Sequence, residues 1–168
     1  MAVLAKILIL VLLILFNIAF TPNFLAWNTL TLNLTRRPRD GFHQSVMGLF
    51  PMLRSWGEGT TPPKLPDTSP GTGGPAAMGD ATWTHRFFGT DLAWDAPGGA
   101  PGIEFVETAS SSTIFYGLED SPYTLESTAS LVADVQRWLD QPGLNFGWML
   151  KPIGEDLNFT ARQFASRE

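Results

Sequence analysis

The sequence predicts an all-β domain that carries one short helix. Three observations point there. Gly (16) and Pro (13) are plentiful in the 168 residues while charged residues make up only 16%, a composition that favours many turns over long helices. A helical period is sustained in one place after the N-terminal segment, from Leu131 to Asp140. Elsewhere apolar and polar residues alternate over short runs, as in strands with one buried face.

In the helical stretch Leu131, Val135, Trp138 and Leu139 fall on one face, and Asp134, Gln136, Arg137 and Asp140 fall largely elsewhere. Thr128 or Ser130 can cap its start, and Pro142-Gly143 ends it. Trp138 is expected to plug one end or side of a sheet core. Phe146, Trp148 and Leu150 then alternate with Gly147, Met149 and Lys151, so the helix is expected to lead into a strand.

The chain opens differently. Lys6 precedes Ile7–Phe16, which contains no polar residue, and Asn17-Ile18-Ala19-Phe20 follows. One positive charge before such a run has the form of a secretory signal peptide. With Ala2–Ala5 its length is also close to the ~20 residues that span a bilayer. Residues 1–27 are therefore expected to form an apolar helix that serves as signal peptide or membrane anchor. It would export the chain to the periplasm, cell surface or exterior, and either cleavage or retention is open. Residues 28–168 would form the β module.

Thr29–Thr35 alternates Leu30, Leu32 and Leu34 with polar residues and reads as a half-buried strand. Arg36–Gly41 is a basic turn. His43–Leu53 reads as a second strand, with Pro51 suggesting an edge position or a bulge. Thr60–Gly79 lacks periodicity and reads as a long loop. Gly79–Phe88, Leu92–Trp94, Ile103–Val106, Ser112–Tyr116, Tyr123–Leu125 and Phe159–Ala165 read as further short strands.

The net charge of −5 argues against a nucleic-acid binder, which needs a basic surface to neutralise phosphates. The absence of cysteine excludes disulfides, thiolate-held zinc and thiol catalysis. The two histidines, His43 and His85, lack metal-ligand spacing. No Gly-x-Ser-x-Gly elbow or phosphate loop is present. Carboxylate pairs such as Glu58 with Asp80, or Glu104 with Glu107, would have to face each other across a cleft for glycoside hydrolysis; solvated loop charges are the commoner explanation. The chain is expected to be non-catalytic.

Six stretches occur in an order and at spacings similar to a known family. They are Ser-Trp-Gly-Glu-Gly (55–59), Gly-Asp-Ala-Thr-Trp (79–83), Trp94 with Pro97-Gly98-Gly99, Val-x-x-Trp-Leu (135–139), Asn-Phe-Gly-Trp (145–148) and Ala-Arg-x-Phe-x-Ser-Arg-Glu (161–168). Together they resemble the DNRLRE domain, also described as the disaggregatase-related carbohydrate-binding module. The resemblance covers most of residues 28–168. It implies a jelly-roll-like antiparallel β-sandwich, secreted and non-catalytic, with polysaccharide as partner, including acidic polysaccharide such as alginate. The chain lacks the family's opening strands and its closing strand, and so reads as a domain truncated at both ends.

Sugar recognition would use exposed indole faces for the C–H side of a ring, with polar side chains for its hydroxyls. Six Trp are present. Trp138 and Trp148 lie on apolar faces and are assigned to the core. Trp56, Trp83 and Trp94 stand at strand–loop borders beside Glu58, Asp80 and Asp95. The candidate ligand-binding set is Trp56, Glu58, Asp80, Trp83, His85, Arg86, Trp94 and Asp95. For an acidic ligand, Arg36, Arg37, Arg39 and Arg54 join Arg86 and His85 through charge-assisted pairing. No cofactor is expected. A structural Ca²⁺ held by Asp80, Asp91, Asp95 and Glu104 stays an option, although no Asp-x-Asp-x-Asp loop exists. The alternative is a structural or adhesive cell-surface module in which every Trp packs inward.

Overall fold

The computed structural model describes residues 30–32, 34–36, 44–59, 75–116, 121–154 and 163–164. Its centre is one open, three-stranded antiparallel sheet. The strands are β3 (Ser45–Pro51), β4 (Ser111–Phe115) and β6 (Trp148–Pro152), in the order β4-β3-β6. Register runs from Ser45 opposite Phe115 to Leu49 opposite Ser111, and from Met47 opposite Pro152 to Pro51 opposite Trp148. Two short pairs flank it: β1 (Leu30–Leu32) with β5 (Tyr123–Leu125), and β2 (Leu34–Arg36) with β7 (Gln163–Phe164). Helix α1 spans Ala129–Asp140.

Both faces of the sheet are apolar, because β3 is buried at almost every position. Its odd-numbered residues Met47 and Leu49 meet Phe115, Trp148 and Leu150, and this core is closed by Tyr123 and Leu125 of β5 and Leu131 of α1. Its even-numbered face presents Phe50, which with Met52 and Met149 packs on Trp94 and Phe105. Strand β6 therefore buries Trp148 and Leu150 on one side and Met149 on the other, where alternation had suggested a single buried face.

The helix follows its sequence signals. Thr128 is the N-cap, its hydroxyl oxygen accepting from the Leu131 amide at 3.0 Å. Trp138 lies against Trp148, ring centroids 4.3 Å apart. Asp134 fixes the helix to the sheet by accepting from the Trp148 indole at 2.9 Å and from the Ser110 hydroxyl. The Thr128 hydroxyl also donates to the Ser110 carbonyl. Thr128→Ala removes the cap and that tie together. It is expected to lower stability by about 1–2 kcal/mol, read by urea denaturation, whereas loss of an isolated cap costs about 1 kcal/mol. A cost below ~0.5 kcal/mol would show that the cap does not hold α1 in place.

Several expectations are corrected. The fold is a small mixed α/β domain with an open sheet, and the jelly-roll-like β-sandwich is not what forms. The reason lies in residues 76–106, whose alternation suggested three strands. Five glycines there, Gly79, Gly89, Gly98, Gly99 and Gly102, take positive φ. The chain reverses too often to build ladders, and isolated bridges such as His85 with Ala93 and Met52 with Phe105 are what result. Pro51 ends the central strand, not an edge strand.

Leu139, expected on the buried helix face, is exposed. Among the described residues no helix is long and apolar enough to cross a membrane, α1 being amphipathic. The membrane anchor, the membrane partner and export through it thus gain no structural basis. Residues 1–27, to which they were assigned, lie outside the described residues, as do 60–74 and the side chains of Leu30, Leu32 and Leu34.

Candidate functional site

The candidate residues collect in the lobe between β3 and β4, which lies over the Phe50–Met149 side of the sheet. Its polar centre is Glu104, 0% exposed. One carboxylate oxygen of Glu104 accepts from Arg54 Nη1 at 3.1 Å and from the Asp95 amide at 3.3 Å, and the other accepts from the Ala100 amide at 2.7 Å. Arg54 Nη1 also donates to Asp95 Oδ1 at 3.1 Å, and both of these side chains are partly exposed. A buried carboxylate needs a counter-charge and full hydrogen bonding, and the turn Pro97–Gly102 supplies the amide that completes them.

Asp80 is also buried. Its Oδ2 accepts from the Ala77 amide at 2.8 Å and ties down a turn. Trp94 is 6% exposed, and its indole N–H donates to the Thr82 carbonyl at 2.8 Å. Trp56 is half-buried against the same core, its indole N–H on the Phe146 carbonyl at 2.9 Å. Arg86 donates from Nη1 to the Ser55 carbonyl at 2.7 Å. His85 pairs through Nδ1 with the Thr84 hydroxyl at 2.9 Å and sets its ring edge-on to Phe88. Glu58, next to the buried Gly57, is exposed.

Trp83 is 40% exposed. It is held by Gly98, whose amide donates to the Trp83 carbonyl at 2.7 Å. A Cβ on Gly98 would lie 2.4 Å from the indole ring, so only glycine permits this approach. An open cleft of about 210 Å³ runs beside it, lined by Trp83, Pro97, Gly98, Gly99, Pro101, Phe105 and Lys151.

The structure thus joins Asp95 to Arg54 and Glu104, and joins Trp83 and Trp94 through the Thr82–Thr84 backbone. It does not bring the eight candidates to one surface. The Arg54–Glu104 pairing was not foreseeable from residues 50 positions apart; the one signal was a Glu in an apolar run, Ile103–Val106. Among the described residues no group of three or more His, Asp and Glu stands ready for a metal ion.

The polysaccharide partner is corrected here as well. A glycan chain needs several aromatic faces presented together, and two of the three expected stackers, Trp56 and Trp94, turn their indoles inward. The resemblance to the DNRLRE domain rests on the six quoted motifs. No family model, no curated protein and no solved structure matches the chain.

Proposed function

We propose that this chain is a non-catalytic structural module whose lobe serves to brace the sheet. The observation that supports this reading is the engagement of the groups a ligand would require. Glu104 accepts three internal hydrogen bonds, Asp80 holds the Ala77 turn, and the indoles of Trp56 and Trp94 donate to main-chain carbonyls. Polar groups bonded in this way stabilise a fold and have little left to offer a substrate.

One observation favours a second reading, the binding of a single sugar ring. Trp83 presents an immobilised, half-exposed indole beside the cleft. Titration with neutral and acidic mono- and disaccharides, followed by tryptophan fluorescence, separates the two. The structural reading expects no saturable change at affinities tighter than about 1 mM. Saturable binding that Trp83→Ala abolishes, with the melting temperature unchanged, would replace the structural reading with the sugar-ring one.

A further inference from the structure

We propose that β4 is the pairing edge for a second copy of this chain, the two β4 strands running antiparallel about a two-fold axis at Thr113. Strand β4 is bonded to β3 on one side and, among the described residues, to no strand on the other. β5 packs near it through the Phe115–Tyr123 ring contact, without a backbone ladder between them. An edge of this kind offers unpaired N–H and C=O groups to any strand that can lie alongside.

The two edges of the sheet differ in how they are guarded. β6 ends in Lys151 and Pro152, a charge and a residue without an amide donor, both of which hinder strand addition. β4 has neither. Ser111–Phe115 sits within Thr108–Leu118, eleven residues without a charge, in a chain of net charge −5. Two acidic copies repel over much of their surface and least along this strand. Its Thr-Ile-Phe sequence also has high β propensity.

The flanking surface is apolar. Ile114 and Val46 are direct cross-strand partners, each 39% exposed. Ile153, 49% exposed, is tied to them by the hydrogen bond its amide donates to the Val46 carbonyl at 2.8 Å. They occupy the end of the sheet's even-numbered face that the lobe leaves bare. An axis at Thr113 sets Ser112 opposite Ile114 of the second copy, twice, and carries the apolar strip across the contact. A two-fold contact closes on itself and ends as a dimer. Both ends of the edge are capped from within, the Ser110 carbonyl by the Thr128 hydroxyl and the Tyr116 amide by the Tyr123 hydroxyl at 3.0 Å, which confines the pairing to the residues around Thr113.

The chain contains no cysteine, so Thr113→Cys introduces a single thiol at the axis. Mild oxidation of the full chain is expected to give about tenfold more disulfide-linked dimer than Glu107→Cys, an exposed position off the strand. Adding Ser112→Lys to Thr113→Cys should return cross-linking to the Glu107→Cys level, with far-ultraviolet circular dichroism unchanged. Should Ser112→Lys not fold, Ile114→Glu serves in its place. The proposal is overturned if Thr113→Cys cross-links no faster than Glu107→Cys, or if a charge at the edge leaves its cross-linking intact.

Discussion

Replacing Glu104 by glutamine is expected to destabilise the domain by about 3 kcal/mol, and by alanine about 3–5 kcal/mol. Three donors converge on the two carboxylate oxygens of a side chain that is 0% exposed. An amide has one oxygen. Glutamine can accept on one side only, and on the other its N–H₂ group faces a backbone or guanidinium N–H. Alanine leaves a void and takes the acceptor from the part-buried Asp95 and Ala100 amides, and an unmet buried amide costs about 1–3 kcal/mol. The exposed arm of the same network serves as the control. Asp95→Asn weakens only the partly exposed Arg54 pair and should cost under about 1 kcal/mol. Guanidinium unfolding followed by tryptophan emission measures all three. Equal losses for Glu104→Gln and Asp95→Asn would mean that burial of Glu104 contributes nothing, and the lobe would need another anchor.

Gly57→Ala is expected to be as damaging, at about 3 kcal/mol or more, for a reason of space and not of charge. A methyl group on Gly57 would sit 1.6 Å from the Gly79 carbonyl oxygen and 2.8 Å from its carbon. Backbone has no rotamer by which to yield. The two segments must separate, and with them go the bonds from the Gly57 amide to the Arg86 carbonyl at 2.8 Å and from the Ala81 amide to the Gly57 carbonyl at 3.0 Å. Gly59, two residues on, has nothing within 4 Å of its Cβ position. Gly59→Ala should therefore stay within about 0.5 kcal/mol of the parent. Melting temperatures of the two variants decide the matter: a Gly57→Ala protein that melts with Gly59→Ala would show that the lobe does not close on β3 in this way.

The parts of the fold that could be read in advance are those set by neighbours in sequence. Helix α1, with its Thr128 cap and its end at Pro142-Gly143, depends on local hydrogen bonds and on a 3.6-residue period. The strands at Ser45–Pro51, Ser111–Phe115 and Trp148–Pro152 depend on apolar, β-branched and aromatic runs bounded by turns. The lobe misled for a physical reason. Trp83, His85 and Phe87 alternate as in a strand, but alternation cannot report how often the chain reverses. The positive-φ glycines at Gly79, Gly89 and Gly98 break each run before a ladder can form. For the candidate site, sequence could name aromatic and acidic residues at loop borders, but not which of them face inward.

Sequence by itself determined the turn-rich character, the amphipathic helix with its cap narrowed to Thr128 or Ser130, and the absence of thiol chemistry, because each follows from residue type and short-range spacing. Only the tertiary structure decided that the sheet stays open with a core on each face, that Trp56 and Trp94 donate inward while Trp83 stays half outside, and that Arg54, Asp95 and Glu104 form one network. These outcomes depend on contacts between residues far apart in the chain, such as Trp56 with Phe146, 90 positions on, and Met47 with Pro152 across the sheet. Burial and hydrogen-bond satisfaction select among such pairings only when the whole chain has closed around them.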